Sequence, residues 1–370
     1  MATRGKPSSA AARRREARNK RKLIIFGVEV VIILIMVGVL YLFMNPTSPT
    51  RAEPKITVLD TDKLAITEEV QAATTEEGGA MRGYRNIALF GVDATTDSQL
   101  FKGSRSDSIM IASINMETGD IKLVSVYRDT YLNIGTDEYL KCNAAYSYGG
   151  AEQAVRMLNM NLDMNITDFV TVGYAGLSEV IDGLGGVYID VDSEELKHIN
   201  NYQSAIADVL KTDYQPVTQT GYQLLNGIQA TAYCRIRYTK GDDFMRASRQ
   251  REVIKAIEEQ AKQADLATLT KVYESVIDDV YTSLDSKDVL ELLGSIANYR
   301  IVGEDGFPQE NLRATPNMGA KGSVVAPVDL QANVVWLHEY LFDDVGYQVS
   351  DTVSEINAKI RSDVSRYLGN

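Results

Sequence analysis

Residues 107–127 read DSIMIASINMETGDIKLVSVY. Two apolar, β-branched runs, Asp107–Asn115 and Ile121–Tyr127, flank a turn at Glu117-Thr118-Gly119-Asp120. The pattern predicts an antiparallel hairpin. Pairing about a turn centred between Glu117 and Thr118 sets Asp107 opposite Arg128. Arg105 and Asp107, entering one strand, and Arg128 and Asp129, leaving the next, then share one end of a sheet. Upstream, Asn86–Val92 (NIALFGV) is a short apolar run that reads as a buried strand. If it runs parallel to 121–127, Asp93 joins the same end. Ligand sites in α/β sheets commonly lie in loops beyond strand ends.

Downstream, strand and helix patterns alternate. Gly149-Gly150 introduces a helix over Ala151–Leu162, followed by a strand at Asp168–Val172, a helix at Leu177–Leu184 and a strand at Val187–Val191. Gly183-Leu184-Gly185-Gly186 is a helix stop that lacks the G-x-G-x-x-G spacing of a dinucleotide site. Ala230–Tyr238 (ATAYCRIRY) reads as a strand. Asp243 is placed to cap a helix over 244–263. Further helices are expected at 266–281, 286–299 and near 328–341, with strands or turns near 322–325. Alternation with one antiparallel hairpin predicts a layered α/β/α domain around a central mixed sheet.

A second charge cluster lies at 235–251. On the expected strand Arg235 and Arg237 share a face. Arg246, Arg249 and Gln250 fall at i, i+3 and i+4 on the following helix. The segment carries a local charge of +4. Guanidinium forks match phosphate oxygens, so the cluster points to an anion site. Surface pairing of Asp243 with Arg246 and Glu252 with Arg249 is the competing reading. At the first cluster, Asp93 and Asp107 could hold Mg²⁺, which uses few carboxylates and takes its other ligands from water and phosphate. Pairing with Arg105 and Arg128 accounts for them equally well.

The whole chain has 370 residues and a net charge of −12, but the charge is unevenly spread. Residues 1–22 carry +8, so the remainder carries −20. An acidic body argues against a general nucleic-acid binder. Leu23–Met44 is a 22-residue apolar stretch interrupted only by Glu29, long enough to span a bilayer and too long for a cleavable signal core. Glu29 reads as an interfacial carboxyl. The basic residues before the stretch place the N-terminus in the cytoplasm and the body outside. The expected organisation is a basic tail at 1–22, a membrane helix at 23–44, an acidic stalk at 45–84, a domain at 85–345 and a C-terminal tail at 346–370. Cys142 and Cys234 form either one disulfide or two separate buried thiols. His198 and His338 read as surface residues. No P-loop, G-x-S-x-G or H-E-x-x-H motif is present.

Seven segments together resemble the LytR-CpsA-Psr family of bacterial cell-wall proteins. They are NIALFGVDA (86–94), GSRSDSIMIASIN (103–115), VSVYRDTYLNI (124–134), KCNAAYSYGG (141–150), VGYAGLSEVIDGLGGVYIDV (172–191), GYQLLNGIQATAYCRIRYT (221–239) and DDFMRASRQREVIKAI (242–257). The resemblance covers about 85–343. It implies a Mg²⁺-dependent phosphotransferase that moves a glycopolymer from a polyprenyl (pyro)phosphate carrier to peptidoglycan through a phosphodiester. By position it assigns Asp93 and Asp107 to Mg²⁺. It assigns Arg105, Arg128, Arg235, Arg237, Arg246, Arg249 and Gln250 to the head-group clamp. Asp93, Arg105, Arg128 and Arg237 are the expected catalytic residues. Asp129 and Asp243 are placed to orient the arginines. Tyr127 departs from the pattern, which often has proline before the Arg-Asp pair. The implied partners are the lipid-linked donor, the peptidoglycan acceptor and the membrane, with no nucleic acid. The implied location is the bacterial cell membrane, crossed once. Two alternatives share the same anion site: a non-catalytic envelope regulator that binds prenyl phosphates, and a pyrophosphatase-like hydrolase of the donor. Helices 151–162 and 244–263 are candidates to line a channel for the prenyl tail.

Overall fold

A computed structural model describes residues 55–94, 97–237, 239 and 242–368. The expected basic tail, membrane helix and first part of the stalk lie outside the described residues. Among those described, no helix is long and apolar enough to cross a membrane.

In chain order the strands are β1 (Lys55–Ile56), β2 (Tyr84–Val92), β3 (Ser106–Asn115), β4 (Asp120–Val126), β5 (Tyr131–Asn133), β6 (Tyr139–Lys141), β7 (Asp168–Val172), β8 (Val187–Val191), β9 (Gly221–Leu225), β10 (Val280–Thr282), β11 (Arg300–Phe307), β12 (Arg313–Ala314) and β13 (Ala326–Pro327). The helices are α1 (Glu68–Thr75), α2 (Asp97–Phe101), α3 (Ala144–Leu162), α4 (Tyr174–Gly183), α5 (Ser193–Leu210), α6 (Gly227–Tyr233), α7 (Asp242–Gln263), α8 (Leu266–Val276), α9 (Ser286–Gly294), α10 (Leu330–Phe342) and α11 (Asp351–Ser365).

Seven strands form the central sheet in the order β1-β10-β7-β2-β3-β4-β11. It is mixed, as expected: β2, β3 and β4 are antiparallel neighbours, while β7 joins β2 and β11 joins β4 in parallel. The β3–β4 register is the predicted one, with Met110 opposite Ser125 and Ile111 opposite Val124. Because β2 is antiparallel to β3, it runs the same way as β4. Asp93 therefore leaves the sheet at the end where Arg128 leaves it.

Alternation along the strands separates two faces. Ala88, Phe90, Ile109, Ile111, Val124 and Val126 pack with α3, α10 and α11 in the main core. Ile87, Ile114 and Leu89 turn to the other face. A second core joins α4–α7 with the β8–β9 ribbon. Inside α3, Gly150 has φ 68°, and a Cβ there would lie 2.5 Å from the Phe101 carbonyl oxygen, so only glycine fits the close approach of α2. The helix pattern read from Ala151 begins after this break, and a further turn precedes it.

Several expectations are corrected. The strand expected over 230–238 is absent from its described part, 230–237. Asn226 Oδ1 accepts from Gln229 N at 3.0 Å and Gln229 Oε1 accepts from Asn226 N at 2.9 Å, a capping box that starts α6. The chain then turns through Cys234 and Arg235. Asp243 lies inside α7 rather than capping it. The 266–281 helix stops at Val276, and β10 inserts between β1 and β7 of the sheet. The stalk and tail boundaries also shift. Leu59, Leu64, Val70 and Met81 belong to the main core, and so do Val353, Ile356, Ile360 and Val364 of α11. Asp163 accepts from Ser350 N at 2.8 Å and from Ser350 Oγ at 2.6 Å, fixing the start of α11 on the end of α3. His338 is buried, not superficial. Its ring stacks 3.6 Å from Tyr347, its Nε2 lies 3.0 Å from the Leu162 carbonyl, and burial pushes its pKa down to about 4.

Candidate functional site

Between the second face of the sheet and α7 lies a cavity of about 500 Å³. Leu89, Met110, Val170 and Val172 form its sheet side, and Leu177, Val253 and Ile254 of α4 and α7 face them. Gly91 leaves the wall low there: a Cβ would meet Ser108 Cβ at 2.9 Å. Of the two helices expected to line an apolar channel, α7 does so. α3 packs on the opposite face of the sheet.

The charged end of the cavity is where the two sequence clusters meet. Asp107 accepts from Arg128 Nη1 at 2.6 Å and from Arg237 Nη2 at 3.1 Å, and its carbonyl accepts from Arg246 Nη2 at 3.1 Å. Asp243 lies 3.1 Å from Arg246, 3.6 Å from Arg128 and 4.0 Å from Arg237. Asp129 bridges Lys141 at 3.1 Å and Arg128 at 3.6 Å. Burial opposes the charge of Arg128, but Asp107, Asp243 and Asp129 outweigh it and hold its pKa above the ordinary value. Arg246 is 4% exposed, and its burial, reinforced by Arg237 and Arg128, pulls its pKa down against Asp243 and Asp107. Its Nε and Nη1 have no hydrogen-bond partner among the described residues, although the group lines the cavity. A buried donor of this kind is costly to leave unpaired.

Arg235 sits over the Tyr174 ring at 4.3 Å, with the Tyr202 ring at 5.9 Å and the Asp93 carboxylate at 3.9 Å. Gln250 also lines the cavity. Arg249, one turn from Arg246, turns away from it. Nε donates to Glu195 at 2.7 Å, Nη1 to the Ile236 carbonyl at 3.1 Å and Nη2 to Thr239 Oγ1 at 2.8 Å. Arg249 therefore ties the 236–239 segment, which carries Arg237, to α5. Arg105 is exposed at the start of β3 and is absent from the cavity wall. Tyr174, Tyr202 and Glu195 were not singled out from sequence. Tyr174 follows β7 directly, a position beyond a strand end that could have marked it. Tyr202 and Glu195 reach the site only through the packing of α5.

Asp93 and Asp107 both line the cavity, and the Asp93 side chain is 53% exposed. Among the described residues no group of three or more His, Cys, Asp or Glu is arranged to hold a metal. Two carboxylates still fit Mg²⁺, which completes its octahedron with water and phosphate oxygens. Each Asp107 oxygen already faces a guanidinium and retains a lone pair. Tyr127 donates its backbone N–H to the Phe307 carbonyl at 3.0 Å, a bond proline could not make, and its ring packs edge-on against Phe244 at 4.6 Å. Cys142 and Cys234 are free and buried. Cys234 faces the cavity, its thiol pushed up to about 12 by burial.

Residues 54–335 match the LytR_cpsA_psr family. The polyisoprenyl-teichoic acid–peptidoglycan teichoic acid transferase TagU of Enterococcus faecalis is 29% identical over 210 residues, covering 56% of this chain and 64% of that protein. The enzyme of the same name from Halalkalibacterium halodurans is 30% identical over 222 residues, covering 58% and 65%. The matches thus span just under two thirds of these two relatives. A solved structure of the LytR-CPS2A-psr family protein YwtF (TagT) with bound octaprenyl pyrophosphate lipid shares the fold, with a TM-score of 0.53 and 22% identity over 74% of this chain and 95% of that one.

Proposed function

This chain belongs to the LytR_cpsA_psr family, and from that premise we propose that it is a membrane-anchored phosphotransferase. It moves a glycopolymer from a polyprenyl (pyro)phosphate carrier to peptidoglycan. The observation that carries this reading is the buried Arg246, with two unpaired donor nitrogens where an apolar cavity meets a charged mouth. An apolar tail joined to a phosphate group is the ligand such a boundary accommodates. The names of the two relatives point to the same donor and acceptor classes.

Phosphoryl transfer needs positioning and charge neutralisation more than covalent help. Arg128, Arg237 and Arg246 are held in mutual register by Asp107 and Asp243, so their remaining N–H groups converge without reorganisation. An acceptor sugar hydroxyl attacks the phosphorus attached to the glycan. The bond from that phosphorus to the bridging oxygen breaks, and prenyl phosphate leaves with its new charge in the arginine cluster. The hydroxyl proton passes to water at the open mouth, since Asp93, its most exposed carboxylate, is a poor base while it holds a metal. When bound, Mg²⁺ supplies further neutralisation of the phosphates, and Asp93 with Asp107 would hold it. Arg105 completes the clamp only if its exposed side chain folds inward over a ligand. The N-terminal segment anchors the chain with residues 1–22 inside the cell and the catalytic domain outside, keeping the cavity near its lipid donor.

The test is an assay of purified full-length chain with lipid-linked glycan, Mg²⁺ and a peptidoglycan oligomer. Glycan joined to the oligomer supports transfer. Glycan phosphate released equally well without acceptor would replace the reading with a hydrolase. Donor binding with no turnover would replace it with a regulator.

A further inference from the structure

The arginines of the mouth are held in two different ways. Arg128, Arg237 and Arg246 donate to carboxylate or carbonyl oxygens, whereas Arg235 is carried chiefly by aromatic faces. Its ion pair with Asp93, at 3.9 Å, is loose, and Asp93 is half in solvent. A guanidinium held over a ring keeps the N–H donors of its own plane available. The ring beneath it, Tyr174, also lines the cavity. Its hydroxyl is buried beside Asp93 without hydrogen-bond geometry to any described residue.

Apart from the Asp93 carboxylate, the immediate neighbours do not call for a hydroxyl. Val172 and Leu177 flank Tyr174 on the cavity wall, so phenylalanine would fill the space and avoid leaving a buried donor unpaired. A phenol is protonated at neutral pH and able to donate. A phosphate oxygen drawn in by Arg235 and Arg246 would provide the missing acceptor.

We propose that Tyr174 is a ligand-binding residue of the phosphate clamp: its ring holds Arg235 with free donors, and its hydroxyl donates to an oxygen of the bound phosphate. This rests on the reading of the cavity as a lipid-phosphate site and adds the group that distinguishes a phosphate-bearing lipid from its neutral alcohol.

The test uses full-length chain in detergent with Mg²⁺, titrated with farnesyl pyrophosphate and farnesol. Wild type should prefer the pyrophosphate strongly. Tyr174→Phe keeps the ring and should weaken pyrophosphate binding about tenfold while leaving farnesol binding unchanged. Tyr174→Leu, which also removes the platform under Arg235, should weaken it further. Farnesol is the control for folding and for the apolar part of the cavity. Equal pyrophosphate binding by wild type and Tyr174→Phe would overturn the inference and leave the lipid-phosphate site standing. An equal loss for both ligands would assign Tyr174 to packing and also overturn it. If wild type does not distinguish the two ligands, the lipid-phosphate reading itself falls, and the inference with it.

Discussion

Arg246 and Arg249 lie one helical turn apart, yet their environments predict opposite consequences when each is removed. Arg249→Ala leaves Glu195, only 5% exposed, as a buried carboxylate without its cation, and removes the donors to Ile236 and Thr239. Breaking a buried pair from one side costs about 3–5 kcal/mol. For a domain of this size that corresponds to a fall in Tm of about 5–8 °C. Arg246→Ala removes a guanidinium with two nitrogens already unsatisfied, and Asp243 keeps Arg128 and Arg237 nearby. Its stability should change by no more than about 1 kcal/mol. Transfer should fall about 100-fold or more, as when one preorganised donor is lost. The assay is thermal melting of full-length variants beside donor turnover at a temperature where all are folded. Arg249→Met combined with Glu195→Leu should restore most of the Tm, since an apolar replacement of a buried pair is often neutral. A native Tm for Arg249→Ala with turnover abolished would refute the reasoning and return Arg249 to the clamp.

Other consequences are simpler to state. Deleting residues 346–370 removes Val353, Ile356, Ile360 and Val364 from the main core, each worth about 1.5–3 kcal/mol of burial, and uncovers the α3 and α10 side chains beneath them, so the truncated chain should fail to fold in expression and circular-dichroism tests. His338 has its pKa lowered in the fold to about 4, so the unfolded chain binds the extra proton first. Its contribution is present above about pH 6.5 and is lost as pH falls from there toward 4, by about 3 kcal/mol at most. Asp163, raised by burial, acts in the opposite sense, so His338→Gln should flatten the pH 6.5–4 slope of stability if the imidazole is its source. Both thiols should resist iodoacetamide at neutral pH until the chain is denatured. Rapid labelling of Cys142 in the native fold would contradict its full burial.

The parts of this fold that were legible in sequence are those set by local chemistry. The 107–127 hairpin carries its register in its turn, and that register alone brought Asp107 to Arg128. Where packing decides, the reading failed. Ala230–Tyr238 looks like a strand by composition, but the Asn226–Gln229 capping box starts a helix before that preference acts. The α11 segment resembles a tail because α3, the helix whose end it caps, lies far away in sequence. Arg246 and Arg249 share a broad helix face by spacing. However, α7 is packed against both the sheet and α5, so a small rotation around the helix separates a cavity-facing donor from one bound to Glu195.

The central claim is that phosphate is transferred with its glycan rather than released. The most direct measurement is mass spectrometry of the products from lipid-linked glycan labelled on the sugar-attached phosphate, with a peptidoglycan oligomer as acceptor. The account predicts labelled phosphate in a phosphodiester joining glycan to oligomer, one prenyl phosphate released per linkage, and neither product with Arg128→Ala or Arg237→Ala. Label recovered only as free glycan phosphate, or equal transfer by either variant, would contradict it.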